Sequence, residues 1–172
     1  LPQGLALNTS LARHSKTYSL WILCVDDESY NSLKKLALTN VTPLKLSDLE
    51  DETLLALRAT RSRAEYCWTL TPLSIAFVFD ALPDAARVTY VDADTWLLQN
   101  PKYIFDQFES SGKNVMITEH GYAPSYDQSE SSGKYCVQFM VFTRKGEVVR
   151  KWWEDRCIEW CFARHEDGKF GD

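Results

Sequence analysis

Arg87-Val-Thr-Tyr-Val-Asp92-Ala-Asp94-Thr-Trp-Leu-Leu98 is a short apolar run that stops abruptly at two carboxylates separated by one small residue. β-Branched and aromatic residues bounded by charge predict a buried strand. In extended backbone, side chains two apart point to the same side, so Asp92 and Asp94 are expected to face one point while Ala93 faces away. Two carboxylates held that way repel each other unless a cation neutralises them. A hard divalent ion, Mn2+ or Mg2+, suits the pair and keeps coordination positions open for phosphate oxygens. The plainer alternative is a turn with two solvated acids. The apolar strand that runs directly into the pair favours the metal.

Upstream lies Ala59-Thr-Arg61-Ser-Arg63-Ala-Glu65-Tyr66-Cys-Trp68-Thr-Leu-Thr71-Pro72. Two arginines precede a helix predicted over Tyr66 to Leu82, kinked near Pro72, which leads straight into the strand. Arg61 and Arg63 read either as a surface pair beside Glu65 or as guanidinium groups able to hold a phosphate in a bidentate grip.

Working towards the N-terminus, Tyr18 to Val25 is almost continuously apolar and breaks into Asp26-Asp27-Glu28, as an interior strand does. Asp26 or Asp27 is expected to cap a helix carrying Tyr30, Leu33, Leu36 and Ala37. A helix over Gly4 to Arg13 precedes that strand. Val41 to Leu46 follows the second helix as an edge strand, because Pro43 cannot donate to a ladder. Ser47 and Glu50 have capping-box spacing for a further helix. This alternation of helix and strand predicts an α/β fold with a mixed central sheet, one domain over residues 1–172.

Downstream, Pro101 starts a short helix to Phe108, and Asn114 to Thr118 is another strand. The polar stretch Glu119 to Lys134 is long for a connection and is expected to act as a lid, poorly ordered without ligand. Within it His120, Tyr122 and Tyr126 either stack on a sugar or decorate the surface. Tyr135 to Phe142 is an apolar strand interrupted by Gln138, a buried amide that must find partners in the backbone or in a pocket. The last helix is predicted over Gly146 to His165. Cys157, Cys161 and His165 fall at i, i+4 and i+8, a separation of about 12 Å along a helix, too far to share one ion. They read as core.

The chain has 172 residues, 45% of them hydrophobic, enough for a real core. A net charge of −5 with no basic concentration excludes a generic nucleic-acid binder. No stretch approaches the roughly 20 apolar residues of a membrane span, and no signal segment opens the chain. Five scattered cysteines suit buried reduced thiols, so a cytoplasmic protein is expected. Its first and last residues have no initiating or terminating character, which predicts a fragment of a longer chain.

Tyr90-Val-Asp92-Ala-Asp94-Thr-Trp-Leu-Leu-Gln-Asn-Pro101 resembles the metal-binding segment of GT-A glycosyltransferases, most like the glycogenin and lipooligosaccharide galactosyltransferase group. The shared pattern is a hydrophobic strand, D-x-D, a hydrophobic pair and Asn-Pro. The resemblance implies a Rossmann-like GT-A fold, Mn2+ or Mg2+ as cofactor, and retaining transfer from a nucleotide-diphosphate sugar, by family a UDP-sugar. It implies Asp92 and Asp94 as metal ligands and, with Ala93, as donor-binding residues. It further implies donor contacts from Arg61 or Arg63 and from Tyr66, and Gln138 beside the donor sugar. Lys169-Phe-Gly171-Asp172 resembles the family's Gly-Asp-Gln element, whose Asp approaches the reacting sugar opposite the leaving group, a role that falls on Asp172. The acceptor, a saccharide or another group, is not implied.

Two other readings compete. Val91-Asp92-Ala-Asp94-Thr95 also resembles the nucleophile motif of haloacid-dehalogenase-like phosphatases, in which Asp92 would attack phosphorus and Asp94 serve as acid and base. In that family the motif normally opens the domain, whereas two α/β units precede it here. The other is a catalytically incomplete fragment that binds without turnover.

Overall fold

A computed structural model describes residues 1–169 and 171. The chain forms a mixed α/β structure that divides into two compact units, Leu1–Glu50 with Val91–Lys113, and Asp51–Tyr90 with Asn114–Asp172.

The first unit begins with α1 (Pro2–His14), then β1 (Leu20–Cys24), α2 (Asp27–Leu36) and β2 (Val41–Lys45). β1 and β2 pair in parallel, Leu20 opposite Val41 and Cys24 opposite Lys45, with α2 as the crossover. Asp26 caps α2 by accepting from the Ser29 N–H at 2.7 Å. Leu33, on the inner face of α2, is buried with Leu44 and Cys24 from the two strands. Pro43 sits opposite Ile22 within the pair, as its missing donor requires at an edge. A 3-10 turn over Leu46–Asp48 follows β2. The later part of this unit holds the D-x-D segment and α5 (Lys102–Ser110), which buries Phe108.

The second unit contains α3 (Glu52–Arg58), α4 (Arg63–Ala81), β3 (Arg87–Val91), β4 (Val115–Glu119), α6 (Ser129–Ser132), β5 (Tyr135–Thr143) and α7 (Glu147–Glu159). Its sheet has the order β3-β5-β4, and β4 and β5 are antiparallel. Ile75 and Phe79 of α4, Met140 and Phe142 of β5, and Trp153 and Cys157 of α7 form its core, with Val88, Tyr90, Val115 and Val137 packed against them.

Several expectations are revised. The strands form two sheets rather than one mixed central sheet, because β1 and β2 satisfy one another while β5 takes the central place between β3 and β4. Ser47 lies inside the 3-10 turn and does not start a helix. Asp51 caps α3 instead, accepting from the Leu54 N–H at 2.8 Å, and Asp48 accepts from the Lys45 N–H at 3.1 Å. α4 begins three residues earlier than expected, where Ser62 and Glu65 make a reciprocal capping box, and it continues through Pro72. The carbonyl of Pro72 accepts from the Arg150 guanidinium of α7 at 3.1 Å, one of the contacts that seats the proline in the interior. α7 ends at Glu159, so Cys161 lies beyond the helix and is buried there, while His165 is exposed.

Arg150 is the most deeply buried charged side chain among the described residues, 4% exposed. It binds Glu147 at 2.5 Å and also pairs with Glu154. Burial works against its charge, but the hydrogen bonds to the two glutamates overcome that and hold its pKa above the ordinary value.

Candidate functional site

The D-x-D pair stands at the exit of β3, whose Val91 is the last strand residue. The segment does not stay extended. Ala93 and Asp94 occupy a turn closed by the Thr95 N–H donating to the Asp92 carbonyl at 3.1 Å. The strand alternation expected for the two acids therefore stops at Val91, and the turn itself now sets where they point. Asp92 is half-buried and Asp94 exposed. Burial and solvent exposure thus differ between two otherwise identical groups.

What fixes this turn is the next few residues. The backbone N–H of Leu97 donates to the hydroxyl of Ser10 at 3.2 Å, and that hydroxyl donates to the Leu7 carbonyl at 2.8 Å. Ser10 is fully buried on α1. The guanidinium of Arg13, one turn further along the same helix, lies over the Trp96 ring at 5.3 Å. Pro101 is buried, and Asn100 accepts from the Lys102 N–H at 2.9 Å to start α5. The residues that follow the acids are thereby tied to defined backbone, and strand β3 holds those before them.

The same unit carries a second polar cluster at the carboxyl ends of its parallel strands, where ligands of open α/β sheets bind. Lys45, the last residue of β2, lies with its ammonium over the Tyr30 ring at 4.9 Å and 3.8 Å from Asp27. Sequence reasoning assigned Tyr30 only to its helix and passed over Lys45. The signal available was a lysine ending a parallel strand of a β-α-β unit. Burial raises the pKa of the neighbouring Cys24 thiol, with a further contribution from the charge of Asp26.

In the second unit Arg61 is neither a surface residue nor a partner of Glu65. It is 8% exposed, and its guanidinium donates to the Thr69 hydroxyl and, at 2.7 Å, to the Ile158 carbonyl, with the Phe162 ring 5.6 Å away. Those contacts lock α4 to the end of α7. Arg63 is exposed in the first turn of α4, and Tyr66 is buried. Glu65 accepts from the backbone N–H groups of Ala163 and Ser62, each at 2.8 Å, which hold its carboxyl below the ordinary range.

Gln138 also differs from expectation, because it is exposed. Ile117 pairs with Met140, but the next residue of β4, Thr118, pairs with Cys136. Val137, Gln138 and Phe139 are therefore looped out of the ladder with β4, and a bulge of this kind re-aims the side chains it carries. Asp172 lies outside the described residues. Cys24, Cys67 and Cys136 are free thiols.

Among the described residues no group of three or more His, Cys, Asp or Glu side chains is placed to hold a metal ion. No helix among them is long and apolar enough to cross a membrane.

The chain is similar to two proteins of Bacillus subtilis (strain 168). It is 32% identical over 181 residues to the uncharacterized protein YfnF, a match that covers the whole of this chain and 59% of the relative. It is 30% identical over 155 residues to the uncharacterized protein YfnD, covering 88% of this chain and 49% of the relative. The chain thus spans about half the length of the curated relatives it matches. No family model matches it.

Proposed function

We propose that the chain is a metal-dependent glycosyltransferase domain of GT-A type, taking a glycosyl group from a nucleotide-diphosphate sugar, a UDP-sugar by resemblance. The observation that carries this is the anchored turn Asp92–Thr95 at the end of β3, with its two carboxylates and with the following residues pinned by Ser10. Two acidic ligands suit an ion that takes its other oxygens from a diphosphate and water. When bound, that ion supplies charge neutralisation at the departing diphosphate, a poor leaving group otherwise.

The chain's own residues contribute position and charge. Asp92 and Asp94 set where the cation sits. Ala93, exposed in the turn, is a donor-binding residue by the resemblance alone. Lys45 and Tyr30, at the carboxyl ends of the parallel strands, offer an ammonium and an aromatic face to a nucleotide. Arg63 is the guanidinium of the upstream pair that is exposed enough to meet a phosphate, since Arg61 is committed to Thr69 and Ile158. Tyr66, being buried, supports α4 rather than meeting a ligand directly. Gln138, exposed on the bulge of β5, is a residue beside the donor sugar by the resemblance alone.

The test is calorimetric titration of UDP, with and without Mn2+, into the chain and into Asp94→Ala. Manganese-dependent binding that vanishes in the variant supports the proposal. Absence of UDP binding in the presence of Mn2+, or hydrolysis of a generic phosphate ester in Mg2+ instead, overturns it.

A further inference from the structure

Two adjacent tryptophans on α7 point in opposite directions. Trp153 belongs to the core, its ring stacked on Phe142 with centroids 6.2 Å apart and planes 7° from parallel. Arg150, Glu154 and Cys157 are buried along the same side of the helix. Trp152 therefore falls on the outer side, where it is 63% exposed, and Val148, one turn before it, is 75% exposed. Two apolar side chains one turn apart make a patch rather than scattered exposure.

Charge continues this stripe at both ends. Lys145, exposed in the 3-10 turn Arg144–Gly146, stands three residues before Val148, and Asp155 stands three residues after Trp152. Spacings of three, four and three keep Lys145, Val148, Trp152 and Asp155 on one narrow face of a helix. Gly146 seats the turn, because a side chain there would run into the Asn114 carbonyl. The Asp155 side chain is 49% exposed, with the Lys151 ammonium of the same helix 3.0 Å away.

We propose that this face of α7 docks on the same face of a second copy of the chain, antiparallel, about a two-fold axis level with Arg150. A two-fold interface has to be self-complementary. Val148 and Trp152 are equidistant from Arg150 along the chain, and so are Lys145 and Asp155, so inverting the helix exchanges the members of each pair. Val148 of each copy then covers Trp152 of the other, and each Lys145 meets an Asp155. A stripe that is basic at one end, apolar in the middle and acidic at the other sets like charges together in a parallel copy. It also disfavours a nucleic acid, which needs a basic face throughout. One helix face per copy is a small contact, which places it among weak associations with a Kd of about 10–100 µM. The pairing requires neither the D-x-D turn nor a nucleotide.

Sedimentation equilibrium of the whole chain, from roughly 5 to 500 µM so as to bracket that Kd, tests the pairing. Expected is a monomer–dimer equilibrium whose Kd rises about ten-fold or more in Trp152→Ser, which removes the central ring. Lys145→Asp and Asp155→Lys are each expected to stay monomeric alone, because each sets like charges against one another across the axis. Mixed one to one, the two variants are expected to associate, since every charge contact between them is again of opposite sign. All three positions are exposed, and far-ultraviolet dichroism checks that each variant folds. A parent that stays monomeric over the whole range overturns the proposal and assigns the face to a different occupant. A dimer that Trp152→Ser leaves intact, or a mixture of the two charge variants that fails to associate, overturns it as well.

Discussion

The backbone N–H of Leu97 donates to the buried hydroxyl of Ser10, so a helix at the start of the chain positions the segment that follows the D-x-D turn. The hydroxyl serves at once as donor to Leu7 and acceptor from Leu97. Few side chains can do both in so little space, since serine offers one donor and two acceptor sites on a single small atom.

Ser10→Ala is expected to destabilise the fold by about 1–3 kcal/mol, because the Leu97 N–H loses its acceptor in a buried place. Urea denaturation measures this. UDP binding in Mn2+ is expected to weaken as well, since the turn loses its anchor. A variant with normal stability and normal binding would show that the Ser10 contact does not hold the turn.

Asp94→Ala and Asp92→Asn are expected to separate binding from stability. Asp94 is exposed, so its removal changes stability by no more than about 0.5 kcal/mol. Manganese-dependent UDP binding is expected to disappear in both variants when measured by calorimetry.

Arg61 and Arg63, two positions apart, are expected to behave oppositely. Arg61→Ala removes charge-assisted hydrogen bonds to Thr69 and to the Ile158 carbonyl and is expected to cost about 2–4 kcal/mol in a denaturation experiment. Arg63→Ala is expected to stay within about 0.5 kcal/mol of the parent while weakening UDP binding. The reverse pattern would assign the donor contact to Arg61.

Glu65 makes part of the stability pH-dependent. Hydrogen bonds from Ala163 and Ser62 hold its pKa below the ordinary 4.5, so the folded chain binds this proton less tightly than the unfolded chain does. Its contribution is complete above 4.5 and is lost as the pH falls through the lower folded value. The difference in urea midpoint between the parent and Glu65→Gln is therefore expected to be largest near neutral pH and to close on acidification below 4.5. A difference that stays constant with pH would remove the carboxylate from this role.

Much of the secondary structure was legible in the residues because it depends on neighbours in sequence. The apolar run to Val91 and the change to acids fix β3 and its end, and the Asp26 carboxylate names the start of α2 through a hydrogen bond only three residues long. Capping was less decisive at Ser47, where Asp51 made a better cap within the same few residues. The continuous helix through Pro72 was not legible, because the proline is seated by residues far away in sequence, Arg150 at 78 positions among them.

The sequence by itself determined that this is a mixed α/β chain, where its acids fall relative to a strand, and which residues could carry charge to a ligand. Only the tertiary structure decided that Asp92 and Asp94 sit on a turn held through Ser10, that Arg61 is spent inside the protein, and that Gln138 is carried outward on a bulge. The physical reason is range. Strand periodicity and helix caps are settled within a few residues, whereas the orientation and burial of a polar side chain depend on donors and acceptors that only folding brings to it.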